Sequence, residues 1–297
     1  MRNEPLPIYQ IQDFKALAQK EQYFYVSSLA DHLQEHQFTR EPHRHNFYIM
    51  LFVTQGSGTH TIDFTVYDVK PDTVFFMTPG QVHSWELSAD ADGCVIFFTQ
   101  EFYANEYPHR MLFDFPYFNA LRNKPILTLS QEDKTALMPV LHMLEQEFRE
   151  AKLMRDVMLS RYLDVLLISL TRVFHLQEAA SEVPGKDRML LQNLERLIDL
   201  HYKEHAPVSF YADCLHVTAK HLNEVCKASL GRTTNELIQY RTLLEAKRLL
   251  VHVDLTSSQI ASALGYFDNT YFFRFFKKHT GQTPEQFRAA NKQSYAK

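Results

Sequence analysis

Cysteine is in short supply: only Cys94, Cys214 and Cys226 occur, at wide spacings and without a C-x-x-C pair. Neither a disulfide framework nor a cysteine zinc site can be built from them, and all three are expected as small core residues. Long apolar runs are missing too. No stretch reaches the roughly 18 apolar residues of a membrane helix, and Arg2 to Tyr25 mixes Pro, Gln, Asp, Lys and Glu where a secretory signal carries an apolar core. The chain is therefore expected in the cytoplasm, away from membranes. Glycine numbers eight, and its one dense run, Gly56-Ser57-Gly58, is followed by no helical pattern. It reads as a hairpin turn, and no nucleotide site is assigned. A strong net charge is also absent, but the formal -4 conceals an asymmetry: residues 187–297 hold 15 Lys and Arg against 11 Asp and Glu, the rest 16 against 24. The C-terminal third is the basic end, a modest excess of the sign that phosphates require.

What is present fits a soluble globular protein of two domains: 297 residues, 45% hydrophobic and 22% charged. Short runs rich in Phe, Val, Ile and Thr recur at Phe47 to Val53, His60 to Phe64, Val74 to Met77 and Val95 to Phe98, with turn signals between them. They predict an antiparallel sandwich or small barrel. After Ser130 the period changes to helical. Leu137, Val140, Leu141, Leu144 and Phe148 form one stripe, and Leu159, Tyr162, Leu163, Leu166, Leu167 and Leu170 another. Two amphipathic helices over 131–177 are expected, serving either as a dimer interface or as a cover for the β module. Residues 178–187, with Ser181, Pro184 and Gly185, read as a linker, and the chain is helical from Arg188.

The strongest signal is an internal repeat offset by 50 residues, matching Leu222 with Phe272, Lys227 with Lys277, Gly231 with Gly281 and Thr233 with Thr283. In each copy a short helix (Phe210 to Leu215; Gln259 to Leu264) meets a turn (His216-Val217; Gly265-Tyr266-Phe267). A polar cap (Thr218; Asp268) then opens a second helix that ends at the glycine. A connecting helix from about Asn235 to Leu250 opens at Thr233-x-x-Glu236, and Thr256-x-x-Gln259 and Thr283-x-x-Gln286 read as further capping boxes. This is the grammar of two helix-turn-helix units. Lys220, Asn223, Glu224 and Lys227 share one face of the first recognition helix, opposite Leu222, Val225 and Cys226. Asn269, Thr270, Phe273, Arg274 and Lys277 take the corresponding places in the second, opposite Phe272, Phe275 and Phe276. In a major groove Arg274 would donate two bonds to guanine, Asn223 would pair with adenine, Glu224 accept from cytosine and Phe273 touch a thymine methyl. Lys227 and Lys277, one turn on, suit phosphates.

At these residues the sequence resembles the AraC/XylS family of bacterial transcription regulators over residues 188–292. The likeness is densest in Arg241-x-x-x-x-Ala246-Lys247-Arg248-Leu249-Leu250, Ile260-Ala261-x-x-Leu264-Gly265-Tyr266, Tyr271-Phe272-x-Arg274-x-Phe276-Lys277-Lys278 and Gly281-x-Thr283-Pro284-x-x-Phe287-Arg288. The resemblance implies double-stranded DNA as partner, with recognition helices in successive major grooves held about one helical turn apart by the central helix. It further implies activation, and with it RNA polymerase as a partner. The first copy departs from the family pattern: Cys226 replaces the usual aromatic, and Glu224 is acidic.

The N-terminal half also resembles a known module. His43-Arg44-His45 and Pro79-Gly80-x-x-His83 look like the cupin barrel fused to the DNA-binding end in many such regulators. Metal-bearing cupins add an acid to these histidines. Asn46 to Leu51 offers none, so no metal and no cofactor is assigned. Lining of a small-molecule pocket is the expectation for the histidines; metal ligation and simple structural bonding stay open beside it. His43, His45, Tyr48, His60, His83 and Trp85, together with Phe75, are the expected effector-binding set. The predicted class is α+β: a cupin-like domain over 1–130 followed by the helical pair, the linker, and an all-α DNA-binding domain over 188–297. The expected protein is an effector-controlled, dimeric, non-enzymatic regulator. The alternatives are a cupin-type metalloenzyme with a helical appendage, or a regulator whose β module has lost its ligand and only dimerises.

Overall fold

The computed structural model describes residues 8–14, 23–36, 41–108, 110–112, 115–118, 125–178, 185–253 and 255–294. The chain divides into two compact units, one within Pro7–Ser181 and one within Glu182–Lys297. Most of the expected linker, residues 179–184, lies outside the described residues. Mixed α+β architecture is as expected, and among the described residues no helix is long and apolar enough to cross a membrane.

The first unit runs β1 (Ile8–Tyr9), β2 (Phe24–Ser28), α1 (Leu29–Glu35), β3 (His43–His45), β4 (Tyr48–Gln55), β5 (Gly58–Ile62), β6 (Thr65–Val69), β7 (Thr73–Met77), β8 (Val82–Leu87), β9 (Asp92–Phe98), α2 (Gln100–Glu106), β10 (Ile126–Thr128), α3 (Gln131–Glu150) and α4 (Arg155–Glu178). Its strands make two five-stranded sheets, ordered β1-β3-β8-β5-β6 and β10-β7-β4-β9-β2. β4 pairs with β7 and β9, whereas β5 pairs with β6 and β8. The segment Gly56-Ser57-Gly58 therefore carries the chain from one sheet to the other, and the hairpin expected there forms instead between β5 and β6.

β4 is apolar without alternation because both faces of its sheet are covered. Phe47, Ile49, Leu51 and Val53 join Phe75, Val95 and Phe97 in one cluster, between the sheets, while Tyr48, Met50 and Phe52 join Val74, Ile96 and Phe98 in another with α3 and α4. The leucine stripes of both helices, from Leu137 to Leu144 and from Leu159 to Leu170, are spent in that second cluster. Each fully buried leucine contributes roughly 1.5–3 kcal/mol, so the helical pair belongs to the β module's core. Ser130 opens α3 with a reciprocal cap: its Oγ accepts from Asp133 N–H at 3.1 Å, and the Asp133 carboxylate accepts from Ser130 N–H at 2.8 Å.

The second unit is helical: α5 (Gly185–His201), α6 (Val208–Cys214), α7 (Ala219–Leu230), α8 (Thr234–His252), α9 (Ser257–Ala263), α10 (Asn269–Thr280) and α11 (Pro284–Ser294).

Candidate DNA interface and effector pocket

The two helix-turn-helix units repeat down to single hydrogen bonds. In the first turn Val217 N–H donates to the Ala212 carbonyl, and in the second Tyr266 N–H donates to the Ala261 carbonyl, both at 3.0 Å. Thr218 Oγ1 then accepts from His221 N–H at 3.1 Å, and the Asp268 carboxylate from Thr270 N–H at 2.7 Å. These caps satisfy donors that the first helical turn leaves open. Gly231 and Gly281 close α7 and α10 in the left-handed region, at φ 65 and 76, where a side chain is disfavoured. The copies differ in the turn, where the second holds an extra residue, Phe267.

Helical period decides what each recognition helix shows. Leu222, Val225 and Cys226 of α7 and Phe272 and Phe276 of α10 are buried; Lys220, Glu224, Lys227, Thr270, Arg274 and Lys277 are exposed. Asn269 and Phe273 are half-buried. Asn223 is half-buried as well, and its Oδ1 accepts from Thr234 N–H at 3.0 Å, tying α7 to the first turn of α8. One arm of the expected adenine pair is thus already engaged. Glu224 lies 3.9 Å from Lys220, with both side chains exposed, a pairing of little strength.

Several residues of the family motifs hold the unit together. The Arg241 guanidinium donates to Asp199 at 2.5 Å and Glu245 at 3.0 Å and lies 4.2 Å from the Tyr202 ring centroid. Arg248, buried, reaches Glu245 at 3.6 Å. Arg288 donates to the Leu250 and Leu255 carbonyls, at 3.0 and 2.5 Å, and so caps the end of α8. A clamped α8 of 19 residues spans about 28 Å.

In the first unit, alternation along β3 turns both His43 and His45 inward. Register does the rest: His43 lies opposite His83, and His60 opposite Trp85. Ring centroids of His43, His45 and His60 fall 4.2, 5.1 and 5.3 Å from that of His83, and Trp85 stands 5.2 Å from it. His43 Nδ1–H donates to the Glu41 carbonyl at 2.8 Å and His45 Nδ1–H to the Phe47 carbonyl at 2.7 Å. Since a carbonyl only accepts, both rings carry their proton on Nδ1, and in the neutral form Nε2 is an acceptor. His60 Nε2 and His83 Nδ1 share one proton across 3.1 Å. Burial is the main force lowering the pKa of His43 to about 4 and of His45 and His60 to about 3. His83 is driven well below 6.5 by burial first and its neighbouring imidazoles second. His45 Nε2, His60 Nδ1, His83 Nε2 and Trp85 Nε1 are buried without a partner, each a destabilising group worth about 1–3 kcal/mol.

Six of the seven expected pocket residues therefore meet. Tyr48 does not, which corrects the sequence expectation: strand parity sends it through the other face of the sheet, where its ring lies 5.0 Å from Phe118 and 5.9 Å from Phe98. Phe75 does face the cluster, 4.9 Å from His60. Sequence reasoning missed His32 of α1, whose ring stacks on Phe14 at 5.4 Å and meets Trp85 at 6.2 Å. Burial holds its pKa near about 3, and its Nε2 also has no partner. A histidine on a short helix remote in sequence from the H-x-H pair carries no signal of this meeting. Among the described residues no group of three or more His, Cys, Asp or Glu is disposed to hold an ion.

Comparison with known proteins matches both halves. A family profile described as AraC-like ligand binding domain covers residues 24–154, and one described as helix-turn-helix domain covers 211–290. The transcriptional activator RhaR of Escherichia coli K12 is 24% identical over 257 residues, 84% of this chain and 88% of its own length. Fatty acid-bound ToxT of Vibrio cholerae aligns over 90% of this chain and 95% of its own at 13% identity, TM-score 0.39. The C-terminal domain of the response regulator AraT of Geobacillus stearothermophilus aligns over 37% and 88% at 27% identity, TM-score 0.33. With a ligand-binding domain ahead of a doubled helix-turn-helix, this chain belongs to the AraC/XylS family of DNA-binding transcription regulators.

Proposed function

We propose that the protein is a cytoplasmic, dimeric activator of transcription, switched by a small uncharged molecule held between the two sheets. The observation that carries this reading is the in-phase pair of capped recognition helices, each with its polar face exposed and its apolar face sealed. Arg274, Thr270 and Asn269 read bases from α10, Lys220, Glu224 and Asn223 do so from α7, and Lys227 and Lys277 anchor on phosphates. Phe273, half-buried, borders the same face. Activation and contact with RNA polymerase come from the resemblance, and RhaR's description as an activator supports them.

For the effector, the pocket chemistry argues for hydroxyl groups. Nδ1–H tautomers at His43 and His45 offer acceptors, the Trp85 N–H offers a donor, and imidazoles held neutral give no charge to pair with an ion. For the dimer, α4 has a second face. Met158, Val165 and Leu176 stand exposed in one line, opposite the stripe spent on the core, and their spacings of 7 and 11 suit a helix-to-helix seam with a second copy. Effector binding then shifts the population of arrangements in which two C-terminal units reach paired half-sites.

The test combines DNA retardation with Trp85, the chain's single tryptophan, as reporter. Full-length protein retards its own upstream duplex, and polyols are screened for a change in Trp85 fluorescence that also alters retardation. His60→Ala and His83→Ala should abolish the fluorescence response. Stoichiometric metal lost on His43→Ala, in a protein with no preferred duplex, would overturn the reading.

A further inference from the structure

The extra residue in the second turn is the most exposed large apolar side chain of the described structure: Phe267, at 108% relative exposure. An aromatic just ahead of a helix cap ordinarily staples onto the fourth residue of the helix. Here Tyr266 does that, its ring 5.4 Å from Phe272 and 5.9 Å from Phe275. Tyr266 is also the counterpart of Val217, since both make the same turn hydrogen bond. Phe267 thus has no counterpart in the first copy and no part in the core. One helical turn further on, Tyr271 is 71% exposed where the first copy has His221.

The surroundings identify the partner. α10 contains no acidic residue, and Arg274, Lys277 and Lys278 are exposed along it. Asp268, the cap, has its carboxylate engaged by the helix N terminus. An exposed face that carries Arg274 in mid-helix and Lys277 and Lys278 in the last turn, with no acid along it, suits a nucleic acid groove. The first residues of such a helix, where Phe267 and Tyr271 stand, meet base edges. Within the major groove the apolar feature is the thymine C5-methyl.

We infer that Phe267 and Tyr271 form an aromatic edge that reads thymine methyls in the half-site bound by the second helix-turn-helix. This rests on the DNA-binding reading above, and assigns the methyl contact first expected of Phe273 to two fully available rings.

The experiment uses full-length protein and a duplex it selects from a randomised pool, synthesised with thymine or with 2′-deoxyuridine in the second half-site. Loss of each contacted methyl should weaken binding about fourfold. The double variant Phe267→Ala/Tyr271→Ala should bind the thymine duplex more weakly and no longer distinguish it from the deoxyuridine duplex, with an unchanged melting temperature. Equal affinity of the wild type for both duplexes, with binding that still falls in Arg274→Ala, overturns this inference alone. So does a double variant that binds and discriminates normally but fails to activate transcription in vitro, the sign of a protein partner. A chain that selects no duplex overturns the DNA-binding reading together with it.

Discussion

Between the sheets of the first unit, His45, His60 and His83 are enclosed and each keeps a ring nitrogen without a partner; along α10, Phe272 and Phe276 are enclosed and Thr270, Arg274 and Lys277 lie in solvent. Hydrogen-bonding capacity is buried in one unit and displayed in the other. Buried and unpartnered, such groups destabilise the fold until something binds them. Displayed on a capped helix, they cost little and wait for phosphates and base edges. The contrast separates a unit built to enclose a molecule from a unit built to lie against one.

Acid should break this contrast most. The barrel imidazoles have folded-state pKa values of about 3 to 4 against 6.5 unfolded, so between those limits the unfolded chain binds more protons. Stability is complete above pH 6.5 and falls as pH drops toward the folded values, by about 2 kcal/mol per imidazole at pH 5. Urea unfolding followed by Trp85 fluorescence should show a lower midpoint at pH 5 than at pH 7, while the part of the helical circular dichroism that α5–α11 retain after the first unit and its α1–α4 have unfolded moves less. Equal shifts of both signals would remove the distinction.

Next in size is the sealed face of α10. Phe272→Ala should destabilise the C-terminal unit by about 3–5 kcal/mol, read as an early loss of helical signal with the Trp85 transition in place. The displayed face then sharpens the comparison inside that unit. Arg274→Ala should cost about 1–3 kcal/mol of operator affinity, roughly 5- to 150-fold, with little change in melting. Glu224→Ala should have a smaller net effect, because the lost acceptor for cytosine is offset by removal of an acid from a surface close to phosphates, and the pairing with Lys220 is weak. Gel retardation at fixed salt measures both. Smallest is Asn223. Losing the bond to Thr234 N–H in Asn223→Ala should lower stability by about 1 kcal/mol. Asn223→Asp keeps that acceptor and should restore the melting temperature. If affinity is restored too, Asn223 is a joint and not a reader.

The C-terminal unit was legible because its signals are local. Caps at Thr218 and Asp268, glycines at 231 and 281, and a repeated dry face specify each helix within a few residues of itself. The N-terminal unit was legible only in part. Runs such as Phe47 to Val53 announce strands, but β3, β6 and β8 are short or half-exposed and carry weaker patterns. The leucine stripes announced two helices without saying what they cover.

Sequence alone therefore determined the doubled recognition unit, its caps, and the polar faces of α7 and α10, since those follow from a 3.6-residue period and hydrogen bonds spanning three or four residues. Tertiary structure alone decided that His32 joins the histidines named from the sequence, that Tyr48 leaves them, that Asn223 holds α8, and that Phe267 stands free while half-buried Tyr266 packs on Phe272. These depend on strand register and on competition for a buried place, and both are settled by residues far apart in the chain.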